Sequence, residues 1–123
     1  MGAGPQATAK HAIAIGYYNT ASQQYAFAGG RNSIANGEGD FVFGGANTSS
    51  SGGYGAIFGK DNKMTSSAYT FVAGNNNEVI WAPYSLVAGN GLICKNHGSR
   101  VVLGAFNVDE ANAAFIIGNG IST

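Results

Sequence analysis

SAYTFVAGNNNEVIW, Ser67 to Trp81, holds a whole structural unit. The apolar run Phe71, Val72, Ala73 ends at Gly74, Asn77 stands three residues past that glycine, and the apolar pair Val79 and Ile80 follows. The flanking stretches GGYGAIFGKDNKMTS (Gly52 to Ser66) and APYSLVAGNGLICKN (Ala82 to Asn96) align with it without a gap. An internal period therefore organises the chain.

Working outward, the apolar-apolar-Gly step recurs at Gly16, Gly29, Gly44, Gly59, Gly74, Gly89, Gly104 and Gly118, with spacings of 13, 15, 15, 15, 15, 15 and 14 residues. Asn occupies the third place past six of these anchors (Asn19, Asn32, Asn47, Asn62, Asn77, Asn107), and the two exceptions read Gly-Asn-Gly. A third column, seven residues before each anchor, is small in every unit but the one holding His97. Three columns in one register define eight units over residues 9 to 123, and the aperiodic Met1 to Thr8 reads as a flexible leader.

Twenty glycines and 10% charged residues suit a disordered low-complexity chain, but 45% hydrophobic residues call for a buried core. Glycine is periodic here and so reads as turn punctuation. Six basic and six acidic residues give no field to attract nucleic acid, and no partner of that kind is expected. No apolar run is long enough for a signal peptide or a membrane helix, so membrane insertion is not expected either. Cys94, the single cysteine, falls at an apolar place in its unit and reads as a small buried hydrophobe.

No segment keeps a 3.6-residue apolar period, and Gly or Asn pairs interrupt every run, so helix is excluded and short strands remain. A unit of about 15 residues holds two short strands and two turns, one rung of a β-solenoid. Alternating hairpins would not demand the same residue types at the same phase. The expected fold is thus all-β, a parallel β-roll or β-solenoid of about eight coils of 13 to 15 residues. Each longer strand is apolar on both faces, because the column two before the anchor (Ala14, Phe27, Val42, Ile57, Val72, Val87, Val102, Ile116) and both its flanks are apolar. One face fills the coil and the other must be covered by another copy, which makes the chain an oligomer. The flanking columns vary in bulk in compensating pairs such as Ala56 with Phe58 and Phe71 with Ala73, as lumen-filling side chains would. The uniformly β-branched column Val42, Ile57, Val72, Val87, Val102, Ile116 is accordingly assigned to the interface between copies.

The phrases HAIAIG (His11 to Gly16), YAFAGG (Tyr25 to Gly30), YTFVAG (Tyr69 to Gly74) and AAFIIG (Ala113 to Gly118) resemble the repeated phrases of YadA-like trimeric autotransporter adhesin heads, a repeat also found in bacteriophage tail-fibre proteins. The resemblance spans residues 9 to 123 and implies a left-handed parallel β-roll, with three chains around a three-fold axis. The period is slightly long for such heads, and Phe or Tyr stands where they carry small residues. No heptad pattern or anchor segment accompanies the repeat. The ending IIGNGIST is similar to the ends of such modules in phage fibres.

Little here can carry chemistry. His11 and His97 lie about six rungs apart, ~29 Å at ~4.8 Å per rung, so they share no metal within one chain. The acidic residues are scattered, without an Asp-x-Asp spacing. Cys94 and His97 have no third, orienting group, and neither Gly-Glu-Gly nor Gly-Asn-Gly opens a helix to hold phosphate. The sequon Asn47-Thr48-Ser49 is expected to be chance. Tyr54, Tyr69 and Tyr84 are spaced by 15 and should stack as a ladder, with Trp81 on the adjoining turn. Such a ladder is either a glycan or receptor platform or plain solenoid packing. The Asn column reads as structural, since Asn tolerates left-handed backbone and bonds turn backbone.

The leading expectation is therefore a non-enzymatic structural and adhesive module of a trimeric fibre, on a phage tail or a bacterial cell surface, outside the cell and without a cofactor. The alternatives are a self-assembling extracellular filament subunit, built by coil stacking on uncapped ends, and a tail-spike glycan-degrading enzyme, which needs paired carboxylates. An ice-binding solenoid would need a regular Thr array, and Thr20, Thr48, Thr65 and Thr70 share no phase.

Overall fold

The structure, a computed structural model, describes residues 4 to 120. It is an all-β parallel solenoid of about eight turns with two sheets. One sheet stacks the short strands β1 (Gln6–Ala7), β3 (Thr20–Ala21), β5 (Ile34–Asn36), β7 (Thr48–Ser50), β9 (Lys63–Thr65), β11 (Glu78–Ile80) and β13 (Ile93–Lys95). The other stacks β2 (Ile13–Tyr17), β4 (Phe27–Arg31), β6 (Phe41–Gly45), β8 (Ala56–Lys60), β10 (Phe71–Asn75), β12 (Leu86–Asn90), β14 (Val101–Ala105) and β15 (Phe115–Asn119). Every strand pairs in parallel with the strand one coil away, Phe71 against Ala56 and Leu86, Gly74 against Gly59 and Gly89.

The glycine anchors have a steric cause. Gly74 sits at φ +118°, and a Cβ built on it would overlap the carbonyl oxygen of Gly89; Gly59 and Gly44 repeat this against Gly74 and Gly59. This criterion corrects the register of the second coil. Gly30, not Gly29, pairs with Gly16 and Gly44 and has the positive φ of 97°. Gly29 lies between the rings of Phe27 and Phe43. The first two spacings are thus both 14, Ala28 replaces Phe27 in the column two before the anchor, and Ser33 replaces Asn32 in the column three past it.

The leader is corrected in part: Gln6–Ala7 forms the first rung of the short-strand sheet against Thr20–Ala21. Met1 to Ala3, and Ile121 to Thr123 at the other end, lie outside the described residues.

A larger correction concerns which face is inside. Val42, Ile57, Val72, Val87 and Val102 are fully buried within the single chain, and Ile116 nearly so. They meet Ala35, Ser49, Met64, Val79 and Cys94 of the facing sheet, also buried. The column assigned to an interface is therefore the lumen. Sheets about 10 Å apart leave room for one medium side chain from each strand, not for Phe. The bulky flanks point outward: Phe41, Phe43, Phe58, Phe71 and Leu86 are all exposed. Their alternation in bulk interlocks neighbouring rungs on the outer surface, where Phe41 stacks on Phe27 at 4.4 Å and Phe58 on Phe41 at 5.3 Å.

Candidate functional site

The Asn column lines one inner corner of the coil and is structural. Asn62 Oδ1 accepts from the backbone N–H of Asn77 at 3.0 Å and from its Nδ2 at 3.0 Å, while Asn62 Nδ2 donates to the carbonyls of Phe58 and Gly74. Asn47 and Asn77 repeat the pattern one rung to either side. Asn19 does the same toward Ser33 and Gly30. The left-handed residue is the one before: Tyr18, Asn32, Ala46, Asp61 and Asn76 have φ of 52–57°. The Asn column thus bonds the turn backbone without adopting the left-handed conformation, and Asn32 alone of the six does adopt it. Asn47 is fully buried with its amide engaged, so its sequon is closed to modification in the folded chain.

Asn107 departs from the column. Its Oδ1 accepts from Ile93 N–H at 2.7 Å and its Nδ2 donates to Ile93 C=O at 2.9 Å, while an Asp109 oxygen accepts from Lys95 N–H. Side chains thereby substitute for a missing strand along the edge of β13. Arg100, itself buried, pairs with Asp109 at 2.8 Å and holds that segment in place. This is a polar cap on one sheet, hidden in the sequence because Asn107 keeps the phase of the Asn column and Asp109 follows no repeat.

Two surfaces remain for contact with other molecules. The first is the row of turn residues five before each anchor. Tyr54 and Tyr69 stack with centroids 5.9 Å apart and Tyr69 and Tyr84 at 5.4 Å, all three with φ of 54–58°. His11 stacks on Tyr25 at 5.4 Å in the same column, a pair hidden from sequence reading by the slip between Gly29 and Gly30. Gly39 interrupts the row, and the Tyr54 ring lies over it. Tyr54 donates its hydroxyl to Glu38 at 2.6 Å, which pushes its pKa above the ordinary phenol value. Trp81 belongs to a different turn, in a column with Ser51, Ser66 and Asn96, and stacks on none of the tyrosines. The expected ladder is present; the tryptophan beside it is not part of it.

The second surface is the outer face of the longer-strand sheet. Two of its outward columns run Ile13, Phe27, Phe41, Ala56, Phe71, Leu86, Val101, Phe115 and Ile15, Gly29, Phe43, Phe58, Ala73, Ala88, Leu103, Ile117, without one polar residue, while the third, at the end of each strand, carries Arg31, Lys60, Asn75, Asn90 and Asn119. The outer face of the short-strand sheet mixes Ile34, Ile80 and Ile93 with Thr48, Ser50, Lys63, Thr65, Glu78 and Lys95, the last two ion-paired. Polar side chains are thus spread over one face of the rod and confined to one margin of the other.

Groups with chemical potential are isolated. His11 and His97 lie in coils one and seven, and no cluster of three metal-ligating side chains occurs among the described residues. Burial pushes the Cys94 thiol up, away from the reactive thiolate. Asp40 is buried in the lumen, where desolvation raises its carboxyl above the usual range despite bonds from Ser49 Oγ at 2.6 Å and Gly55 N–H at 2.9 Å. No protein-family model matches the chain, and no curated protein matches it by sequence.

Proposed function

We propose that the chain is a structural and adhesive module of a trimeric fibre, the class to which phage tail fibres and cell-surface adhesin heads belong, acting outside the cell. Three copies bury the outer face of the longer-strand sheet around a common axis, and the tyrosine turn stays outside as the surface that meets a host receptor or glycan. The observation that carries this is the pair of wholly apolar columns on that outer face. At ~4.8 Å per rung its eight strands run for roughly 34 Å. A stripe of that length exceeds the scattered apolar exposure normal for a monomer and suits self-association. The interface thus passes from the lumen column to Phe71, Leu86 and their neighbours on the outer columns. The filament alternative is disfavoured by the Asn107 and Asp109 cap, which occupies the edge that coil-on-coil stacking would need. Among the described residues, no groove is lined by two carboxylates to support a glycan-degrading role.

Sedimentation equilibrium tests the proposal. The chain should show three times its mass of 12.5 kDa, and Phe71→Asp should reduce it to one chain with its solenoid retained. A single-chain mass for the unaltered protein across the micromolar range would end it.

A further inference from the structure

Besides the break at Gly39, the tyrosine row has an unfilled place past Tyr84. Rings in this column lean toward the preceding coil, as the Tyr54 ring shows by lying 2.6 Å from where a methyl group on Gly39 would stand. Tyr69 and Tyr84 follow suit, so the inner rings of the row cover one another at 5.4–5.9 Å. The face of Tyr84 that looks toward the next coil is different. The equivalent residue there is Ser99, set by the pairing of Leu86 with Val101, and it adopts the same left-handed conformation at φ 58°. Its short side chain leaves that face bare. Tyr84 is accordingly 64% exposed, against 56% for Tyr69 and 53% for Tyr54.

The space is bounded. An open groove runs beside the row, with the tyrosines on one wall and Phe71, Leu86 and Val101 on the other. It reaches Ser99 and Arg100, and a second hollow continues from there to His97 and Asn112. With the apolar wall given to the interface between copies, the unfilled place offers one aromatic face and a rim of hydroxyl, imidazole and carboxamide groups open to water.

We infer that this place binds an aldopyranose ring, its C–H face on the free face of Tyr84, with hydroxyls reaching the rim at Ser99, His97 and Asn112. An amphipathic ring suits a site with one apolar face and a wet polar rim, whereas a planar aromatic would leave its second face in water. The inference rests on the adhesive reading above and narrows it: the ladder as a whole is not a sugar platform, because its inner faces are already occupied. One sugar takes the place a further tyrosine would hold.

The test is saturation-transfer NMR with the methyl α- and β-pyranosides of glucose, galactose, mannose and N-acetylglucosamine, on the unaltered protein and on Tyr84→Ala, Ser99→Tyr and Tyr54→Ala. At least one pyranoside should bind the unaltered protein and Tyr54→Ala alike, and lose about tenfold or more in affinity to Tyr84→Ala and Ser99→Tyr. Ser99→Tyr guards against mere unfolding, since four coils already hold tyrosine in this conformation and the added ring should raise the melting temperature. Binding unchanged in a folded Ser99→Tyr would overturn the site while leaving glycan recognition elsewhere on the surface intact. No transfer to any pyranoside, or binding of thioflavin T alone, would overturn it as well. Oligosaccharide binding by the unaltered protein then decides whether the adhesive reading survives.

Discussion

Gly74 shows how a single residue type is dictated by its neighbour one rung away. The carbonyl oxygen of Gly89 fills the space of its missing Cβ, and φ +118° is closed to other residues in any case. Gly45, one residue past an anchor, has neither constraint, its nearest would-be contact being Lys60 Cγ at 3.6 Å. Gly74→Ala should therefore cost on the order of 3 kcal/mol or abolish folding, and Gly45→Ala should change stability by less than about 1 kcal/mol in urea unfolding. Asp40 makes a second residue-scale case. Its folded pKa lies above the unfolded one, so the folded state gains relative to the unfolded as the carboxyl protonates; that gain is complete below the unfolded pKa and is lost as pH rises through the folded pKa. Asp40→Asn should thus stabilise the chain at pH 7, by about 1 kcal/mol, and the advantage should vanish in thermal melts at about pH 3. The glycine anchors were plain in the sequence because their cause recurs every coil. Asp40 was not, since only the folded coil shows that this place, held elsewhere by Thr70 or Ser85, points into the lumen.

At the scale of the strand, the sequence carried the period and left the facing open. Alternation separates Val72 from Phe71 and Ala73, but with all three apolar it does not say which side is inside. The deciding information is volumetric and lies in the opposite strand: Ala35, Ser49, Met64, Val79 and Cys94 face the lumen, and the room left over fits Val or Ile. The doublet Gly29-Gly30 allowed a one-residue slip that moved Phe27 to the wrong column and hid Tyr25 from the row that holds Tyr54. The cap on β13 was illegible for another reason. Asn107 and Asp109 act through side chains on backbone that no strand follows. Replacing both with Ala should leave the Ile93 and Lys95 amides unprotected, speeding their hydrogen exchange by about tenfold or more while central amides such as Val72 stay slow. Unchanged protection at Ile93 would mean that the cap does not hold that edge.

For the whole molecule, the contrast between two outer faces decides the reading. The lumen satisfies itself: among the described residues no buried side-chain polar atom lacks a partner, and the buried column runs unbroken from Ala14 to Ile116. One chain therefore contains its own core, and the outer apolar stripe is additional to it, free to serve assembly. Leu86 and Val87 are adjacent in sequence and lie on opposite sides of that division, Leu86 exposed and Val87 fully buried. Thermal unfolding of Leu86→Asp and Val87→Asp, followed by circular dichroism, tests this most directly. Val87→Asp places a carboxylate in the lumen at a cost of several kcal/mol, about the whole stability of a small domain, and should show no folded β signal. Leu86→Asp should keep the β spectrum and a cooperative melt. A folded Val87→Asp beside an unfolded Leu86→Asp would contradict the account.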